Sequence, residues 1–226
     1  MSAKIKVAIL DDHQSIVDGY LFRLSDSECT VVGTALFGED IEKVLAENRP
    51  DVLLLDANVH SSPENHNPFP ILPFVRNAVQ KYPDLKILII SMLTSKTLIE
   101  ALVDAGVRGY IFKDDENAVR QLCHVVRSVA EGGVYFSSGA WEKVKMGQSS
   151  SVLTSRQLEA LSVSAAYPDL STFVLAQKLA VSASTFRNLL SGAYKRLGVY
   201  TRAAAIVRAR QLGLLVDPNE VLELTR

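Results

Sequence analysis

KVAILDDH at residues 6–13 and DVLLLDAN at residues 51–58 decide the fold of this chain. Each stretch holds a short, continuously apolar run that ends directly in one or two aspartates. Such runs are typical of strands that are covered on both faces, as the strands of a parallel sheet are. The sequence therefore predicts buried strands that deliver acidic side chains to one edge of a sheet.

Strand candidates alternate with stretches of helical period along the first part of the chain. The five strand candidates lie at residues 5–10, 30–35, 52–55, 87–90 and 109–112. The five helix candidates lie at residues 14–24, 39–48, 71–81, 96–105 and 117–131. This alternation predicts an α/β domain at residues 1–131 with a doubly wound, five-stranded parallel sheet.

The composition changes after residue 131. Glycine and serine are frequent at residues 132–151, which predicts a linker. An all-α domain is predicted at residues 152–226, with Thr154 as the N-cap of its first helix. Its four helix candidates lie at residues 155–165, 171–179, 184–197 and 202–212.

The net charge of −1 conceals an asymmetry between the two parts of the chain. Residues 1–148 carry 15 basic and 20 acidic side chains, whereas residues 149–226 carry 9 and 5. The net charges are therefore −5 and +4. A basic C-terminal part suits a polyanionic partner such as nucleic acid.

Several classes of protein do not fit the sequence. No apolar run reaches the roughly 18 residues that a membrane-spanning helix needs, so we expect no membrane partner. The apolar run near the N-terminus meets acids at once, which is not typical of a signal peptide. Cys29 and Cys123 lie far apart in the sequence and form no C-x-x-C pair. We expect reduced, core-filling thiols and a cytoplasmic protein.

Polar side chains follow four of the predicted strands, namely Asp11 and Asp12, Asp56, Ser91 and Lys113. Because the carboxyl ends of parallel strands meet at one edge of the sheet, we expect these side chains to converge. A single aspartate after a strand is more often a helix N-cap. The full set instead favours a site in which the three carboxylates hold a hard cation such as Mg²⁺.

The predicted site has the parts of a phosphoryl acceptor. Asp56 is the candidate nucleophile toward a phosphoryl group. The metal and Lys113 would offset charge on the transferring oxygens, and Ser91 would donate a hydrogen bond to the product.

The first 130 residues resemble the receiver domain of response regulators. The resemblance spans about residues 4–130 and rests on four motifs, DDH at 11–13, LLLD at 53–56, IIS at 89–91 and GYIFKD at 109–114. It implies a flavodoxin-like fold in which Asp56 accepts phosphate from a histidine kinase.

The same resemblance implies roles for the neighbouring residues. Asp12 and Asp56 would bind Mg²⁺ directly, Asp11 would bind it through water, and the backbone carbonyl of Asn58 would complete the protein ligands. Ser91 and Tyr110 would form the switch that responds to phosphorylation, although Tyr110 also fits as a half-buried strand aromatic.

The loop after Asp56 departs from the family pattern. Receivers usually continue with Met-Pro three and four residues later, where this chain has Val59 and His60 within a longer stretch, VHSSPENHNPFP. This departure predicts unusual access to the site, phosphate lifetime or choice of kinase. His60 and His66 are expected to be solvated rather than to hold a second metal.

The C-terminal helices have the spacing of a helix-turn-helix, with a tight turn at residues 180–182. The N-terminal residues of the second helix would face bases in the major groove. The candidate DNA contacts are Ser184, Thr185, Arg187, Asn188, Lys195, Arg196 and Arg202. A four-helix bundle that serves dimerisation has the same sequence pattern.

Residues 152–215 resemble the effector domain of LuxR/NarL-type regulators. The matching motifs are LTSRQLEAL at 153–161, LAVSASTFRN at 179–188 and KRLGVYTRAAA at 195–205. Ser184 and Leu189 stand where that family has Lys and His, so we expect weaker anchoring on phosphates. Phe173 and Val174 replace a polar pair and offer an apolar patch for protein contact.

Together these features predict a transcriptional regulator controlled by phosphorylation. Phosphorylation of Asp56 would free a partly masked recognition helix or convert monomers into a homodimer on paired half-sites. One alternative is that the C-terminal helices bind another protein instead of DNA. A second alternative is a phosphatase of the haloacid dehalogenase type, but that class needs an acid where this chain has Asn58.

Overall fold

One parallel sheet organises the first part of the computed structural model, which describes residues 4–25, 28–145 and 152–216. Its strands are β1 (Ile5–Leu10), β2 (Cys29–Ala35), β3 (Val52–Leu55), β4 (Lys86–Ser91), β5 (Gly109–Phe112) and β6 (Tyr135–Phe136). The strand order is β2-β1-β3-β4-β5-β6, and every pairing is parallel. The α/β class and the doubly wound parallel sheet are confirmed.

The prediction of five strands is wrong, because β6 is added beside β5 within the described residues. Gly109 pairs with Tyr135, and Tyr110 pairs with Phe136. The extra strand has only two residues and follows Gly132 and Gly133, so it carries no strand-like sequence pattern.

Helices cover both faces of the sheet and build the C-terminal part. They are α1 (Gln14–Ser25), α2 (Ile41–Asn48), α3 (Ile71–Lys81), α4 (Lys96–Ala105), α5 (Glu116–Arg120), α6 (Leu122–Ala130), α7 (Ser138–Lys145), α8 (Ser155–Ala166), α9 (Thr172–Lys178), α10 (Ala183–Leu197) and α11 (Arg202–Gln211). None of the helices in the described ranges is both long and apolar enough to cross a bilayer.

Two helical segments differ from the sequence prediction. The helix expected at residues 117–131 is split at Gln121 into α5 and α6. The stretch expected to be a linker contains β6 and α7, and α7 lies against α4 and β5. Residues 146–151 of that stretch fall outside the described ranges. The described part of this stretch, residues 132–145, therefore extends the α/β domain.

Two apolar layers sandwich the sheet. On one face α1 and α6 pack against the strands, and this layer includes Cys29 and Cys123. These two cysteines are distant in sequence, but their Sγ atoms lie 3.8 Å apart. On the other face the cluster beneath α2, α3 and α4 continues without a break into the C-terminal helices. The two parts of the chain therefore share one apolar core.

The C-terminal part is a helix-turn-helix framed by α8 and α11. The hydroxyl of Thr154 accepts from the backbone of Gln157, whose side chain accepts from the backbone of Thr154, so the predicted N-cap is confirmed. Helices α9 and α10 are joined by a tight turn in which Ala180 has a φ of 52°. The hydroxyl of Ser182 then caps the N-terminus of α10.

A Gly109→Ala substitution tests how tightly β6 is held. A Cβ at Gly109 would lie 2.2 Å from the carbonyl oxygen of Tyr135, which is backbone and cannot turn away. We expect the variant to lose about 1–3 kcal/mol of unfolding free energy in urea. Gly19→Ala in α1 is the matched control, because its Cβ would meet nothing within 4 Å. That variant should be at least as stable as the unmodified protein, and equal losses at both positions would contradict this account of β6.

Candidate functional site

Three aspartates meet at the carboxyl edge of the sheet because β1 and β3 are neighbours. Leu10 pairs with Leu55, so Asp11 and Asp12 leave the sheet beside Asp56. The backbone N–H of Asp56 donates to the carbonyl of Leu10 at 2.8 Å. Asp11 and Asp56 are 1% and 5% exposed, so the site is a buried acidic cluster.

Lys113 neutralises part of this cluster. Its Nζ lies 2.6 Å from Oδ2 of Asp11 and 2.6 Å from Oδ2 of Asp56. The end of β5 fixes its position, because the backbone N–H of Lys113 donates to the carbonyl of Ser91 at 3.1 Å. The ammonium group therefore bridges two carboxylates that would otherwise repel each other.

Ser91 and Tyr110 occupy the next positions outward from Asp56. The buried hydroxyl of Ser91 donates to Oδ1 of Asp56 at 2.7 Å. The ring of Tyr110 is fully buried, and its hydroxyl donates to the carbonyl of Leu93 at 2.7 Å. In this structure the aromatic side chain thus already points inward.

Burial and charge shift the pKa values of these groups in definite directions. Burial raises the pKa of Asp56, and the nearby charge of Lys113 opposes that effect without cancelling it. Burial lowers the pKa of Lys113, but the charges of Asp56 and Asp11 outweigh it, so the pKa of Lys113 is raised. Lys113 therefore stays protonated between the two carboxylates.

The arrangement fits a hard divalent cation. One ligand atom each from Asp11, Asp12, Asp56 and His13 lies within 4.8 Å of the others. Asp12 Oδ1 is buried and accepts no hydrogen bond from the described residues, although His13 Nδ1 lies 2.8 Å away. Carboxylate oxygens are the ligands that Mg²⁺ prefers. The cluster is therefore compatible with Mg²⁺ binding.

Two histidines lie beside the cluster: no role was predicted for His13, and the expectation that His60 is solvated is wrong, because it contacts Asp12. His13 follows directly on the aspartate pair, so its position in the DDH motif was the available signal. His60 Nδ1 lies 2.9 Å from Oδ2 of Asp12, and the backbone N–H of His60 donates to the same oxygen at 3.3 Å. The backbone N–H of Asn58 donates to Oδ1 of Asp56 at 3.0 Å.

The predicted DNA-reading residues lie on an open surface. Ser184, Thr185, Arg187 and Asn188 are exposed on the first two turns of α10. Lys195 and Arg196 are exposed in its last turn. Among the described residues none covers the N-terminal face of α10, so the partial masking considered from the sequence is not seen in this part of the structure.

Arg202 has an internal role that the sequence did not indicate. Its guanidinium donates to the carbonyl of Pro168 at 2.6 Å and to that of Leu170 at 3.4 Å. The side chain thereby holds the turn between α8 and α9, and its contact with a DNA phosphate stays a prediction. Phe173 is 62% exposed, as an apolar patch on α9 requires.

The sheet, the acidic edge and the bridging lysine define a class of protein. The sequence profile of the response regulator receiver domain matches residues 7–126, more than half of the chain. The chain therefore belongs to the response regulator receiver family.

Several relatives match the chain along nearly their whole length. The chain is 26% identical to the transcriptional regulatory protein DegU of Brevibacillus brevis, covering 93% of this chain and 94% of DegU. It is 28% identical to the nitrate/nitrite response regulator homolog of Haemophilus influenzae, covering 92% and 97%. RcsB of Salmonella enterica bound to promoter P1flhDC has the same fold, with a TM-score of 0.63, 18% identity and coverage of 92% and 99%. The chain is a response regulator whose receiver is followed by a helix-turn-helix region.

Lys113→Ala tests the electrostatic role of the bridging lysine. Without it two buried carboxylates face each other, so we expect a loss of about 3 kcal/mol of unfolding free energy at pH 7.5. The loss should shrink at pH 5, because the already raised pKa of Asp56 rises further and protonation removes the repulsion. Urea unfolding at both pH values, without divalent cations, measures the effect.

The control is Arg120→Ala, which removes an exposed ion pair with Glu116. That variant should change the unfolding free energy by less than about 0.5 kcal/mol at either pH. A Lys113→Ala loss that is the same at pH 5 and 7.5 would show that packing, not charge, explains it.

Proposed function

We propose that this chain is a DNA-binding transcriptional regulator that is switched by phosphorylation of Asp56. The observation that carries the proposal is the convergence of Asp56 with Ser91, Lys113 and the Asp11–Asp12 pair at one sheet edge. A nucleophilic carboxylate, a hydroxyl donor, a fixed ammonium and a metal-compatible acid cluster are what phosphoryl acceptance requires.

In the proposed reaction an Asp56 carboxylate oxygen bonds to phosphorus while the phosphorus–nitrogen bond of a kinase phosphohistidine breaks. Lys113 already contacts Oδ2 of Asp56 and would neutralise charge on the incoming phosphoryl group. Ser91 would redirect its hydroxyl from Oδ1 of Asp56 to a phosphoryl oxygen. The product is an acyl phosphate on Asp56 and a free histidine on the kinase.

Mg²⁺ is the proposed cofactor of this step. Asp12 and Asp56 would hold it directly, Asp11 through water, and Asn58 through its backbone carbonyl. When bound, the cation supplies positive charge to the transferring phosphoryl oxygens. Tyr110 and Ser91 remain the proposed switch pair, with Tyr110 bound to the loop after β4 through the carbonyl of Leu93.

The proposed output is binding of two copies to paired DNA half-sites. The relatives DegU and MctR are named as transcriptional regulatory proteins, and a structure of RcsB holds promoter DNA. Support from this chain comes from the exposed polar side chains in the first two turns of α10 and from the net charge of +4 over residues 149–226. We further propose a receiver at 1–131 and an effector at 152–226, and we propose that β6 and α7 of the intervening stretch belong with the receiver.

The regulator is proposed to act without enzymatic turnover of a substrate, apart from its own phosphorylation and dephosphorylation. The haloacid dehalogenase alternative lacks its second acid, because Asn58 stands two residues after Asp56. Steady release of phosphate from an added phosphate monoester would contradict the proposal.

A second candidate function is binding of another regulator through the effector. The exposed Phe173, 62% accessible on α9, favours it together with its partly buried neighbour Val174, because contiguous exposed apolar surface is typical of protein contact sites. The two functions differ in salt dependence. DNA binding should weaken steadily as salt rises, whereas an apolar protein contact should not.

The acceptor role predicts that acetyl phosphate with Mg²⁺ adds 80 Da to the intact protein and that Asp56→Asn abolishes the addition. Removal of Mg²⁺ with a chelator should abolish it as well, because the acid cluster then repels the phosphoryl oxygens. Intact-mass spectrometry measures both. Unchanged labelling of Asp56→Asn would place the acceptor elsewhere.

The output role predicts that a DNA site selected from a random pool is bound more tightly after acetyl phosphate treatment. Arg187→Ala should weaken binding to that site by about tenfold, within the range typical of a lost arginine–base contact. Arg120→Ala, at another exposed arginine that lies on the receiver, is the matched control. Equal effects of the two substitutions in a gel-shift titration would contradict a reading role for α10.

A further inference from the structure

The loop after Asp56 forms a small hairpin at residues 59–69. His60 and Pro68 are bridged in antiparallel fashion, and the backbone N–H of Ser61 donates to the carbonyl of Asn67 at 3.0 Å. The N–H of Phe69 donates to the carbonyl of Val59 at 2.8 Å and closes the base. These bonds make the 59–69 hairpin a defined structural element with two ends.

The base of the 59–69 hairpin is attached to the acid cluster. Nδ1 of His60 lies 2.9 Å from Oδ2 of Asp12, and the backbone N–H of His60 donates to the same oxygen at 3.3 Å. The carbonyl of His60 accepts from the N–H of Gly38 at 2.9 Å, and a Cβ on Gly38 would lie 2.0 Å from the ring of Phe69. The hairpin therefore has little room to shift without breaking contacts.

The tip of the 59–69 hairpin is attached to the C-terminal domain. The side-chain amide of Asn65 donates to the carbonyl of Ala166 at 2.9 Å, at the C-terminal end of α8. Next to it the hydroxyl of Tyr167 donates to Glu39 Oε1 at 3.0 Å. Glu39 is itself fastened to the hairpin, because its N–H donates to the carbonyl of Ser61 at 3.0 Å.

A partly buried ion pair and apolar side chains complete this domain contact. Arg76 on α3 reaches across to Glu159 on α8, with Nε and Oε1 2.7 Å apart. The Glu159 side chain is 0% exposed, and its other oxygen, Oε2, accepts from Arg156 Nη1 at 2.7 Å within α8. The two arginines and the contact with α3 together keep the carboxylate away from water. Leu158 and Leu214 are 2% and 3% exposed in the same apolar cluster as Leu72 of α3.

We propose that the 59–69 hairpin is the coupling element between the acceptor site and the effector domain. When Mg²⁺ and a phosphoryl group occupy the acid cluster, Asp12 Oδ2 is drawn away from His60. The base of the 59–69 hairpin then shifts, and Asn65 at its tip releases α8. This inference rests on the proposed function, because it assigns the regulation of that same site. It also gives the long loop after Asp56 a physical role.

The coupling has a direct readout at Glu159. A carbodiimide with an added amine modifies exposed carboxylates, so Glu159 in the intact chain should label slowly while α8 is docked. Addition of Mg²⁺ and beryllium fluoride, a mimic of the acyl phosphate, should raise the labelling rate of Glu159 about fivefold or more. Peptide mass spectrometry measures the rate, and ¹⁹F NMR reports separately whether beryllium fluoride is bound.

Asn65→Asp tests the tip of the hairpin. The substitution keeps the oxygen that accepts from Asn67 within the hairpin but removes the amide that donates to Ala166. We expect Glu159 labelling to rise about fivefold without any ligand, the effect of losing one such hydrogen bond. Asn117→Asp on the exposed start of α5 makes the same chemical change far from the contact and should leave the rate unchanged.

His60→Ala tests the base of the hairpin. The variant should still bind beryllium fluoride by ¹⁹F NMR, but its rise in Glu159 labelling should fall below twofold. Bound beryllium fluoride without a change at Glu159 in the unmodified protein would overturn the coupling and leave the proposed function standing. Equal labelling of Asn65→Asp and Asn117→Asp would also overturn it. Failure of beryllium fluoride to bind at all would overturn both proposals.

Discussion

The contact of Lys113 with Asp11 and Asp56 is the interaction on which the rest of the site depends. Parallel strands bring their carboxyl ends together whether or not the side chains there repel. Two nearly buried carboxylates at this edge are tolerable because one ammonium lies 2.6 Å from an oxygen of each. The same contact orients Asp56. The arrangement that stabilises the two buried carboxylates is therefore also the one that the proposed phosphoryl acceptance uses.

The two faces of the sheet differ in what they connect. The layer of α1 and α6 is self-contained, whereas the cluster under α3 and α4 continues into α8, α10 and α11. Any change at the acid cluster that reaches the C-terminal domain must therefore pass on the α3 side. The loops after β3 and β4 lie on that route, and they carry Asn58 and Leu93, which border a cleft shared with Arg210 and Gly213.

Much of this molecule was predictable from the sequence, and the failures share a cause. The apolar runs predicted the first and last residues of β1 and β3 correctly. The ends of the predicted strands also indicated that Asp56, Ser91 and Lys113 lie together. Strand β6 was not predicted because a strand of two residues is too short to show an alternating pattern of apolar and polar side chains. Its place beside Gly109 depends on a close approach of the two backbones. The contact of His60 with Asp12 follows from the path of a loop, which no local pattern encodes.

The open face of α10 limits how the regulator can work. Because Arg187 and Asn188 are exposed while α8 is docked on α3, docking does not hide the reading surface. Paired half-sites in the major groove lie about 34 Å or a multiple apart, so two copies must present their α10 helices at that spacing. A domain held by the 59–69 hairpin and the Arg76–Glu159 pair has its orientation fixed by its own receiver. On the proposed coupling by the 59–69 hairpin, phosphorylation therefore acts by freeing the orientation of α10 rather than by uncovering it.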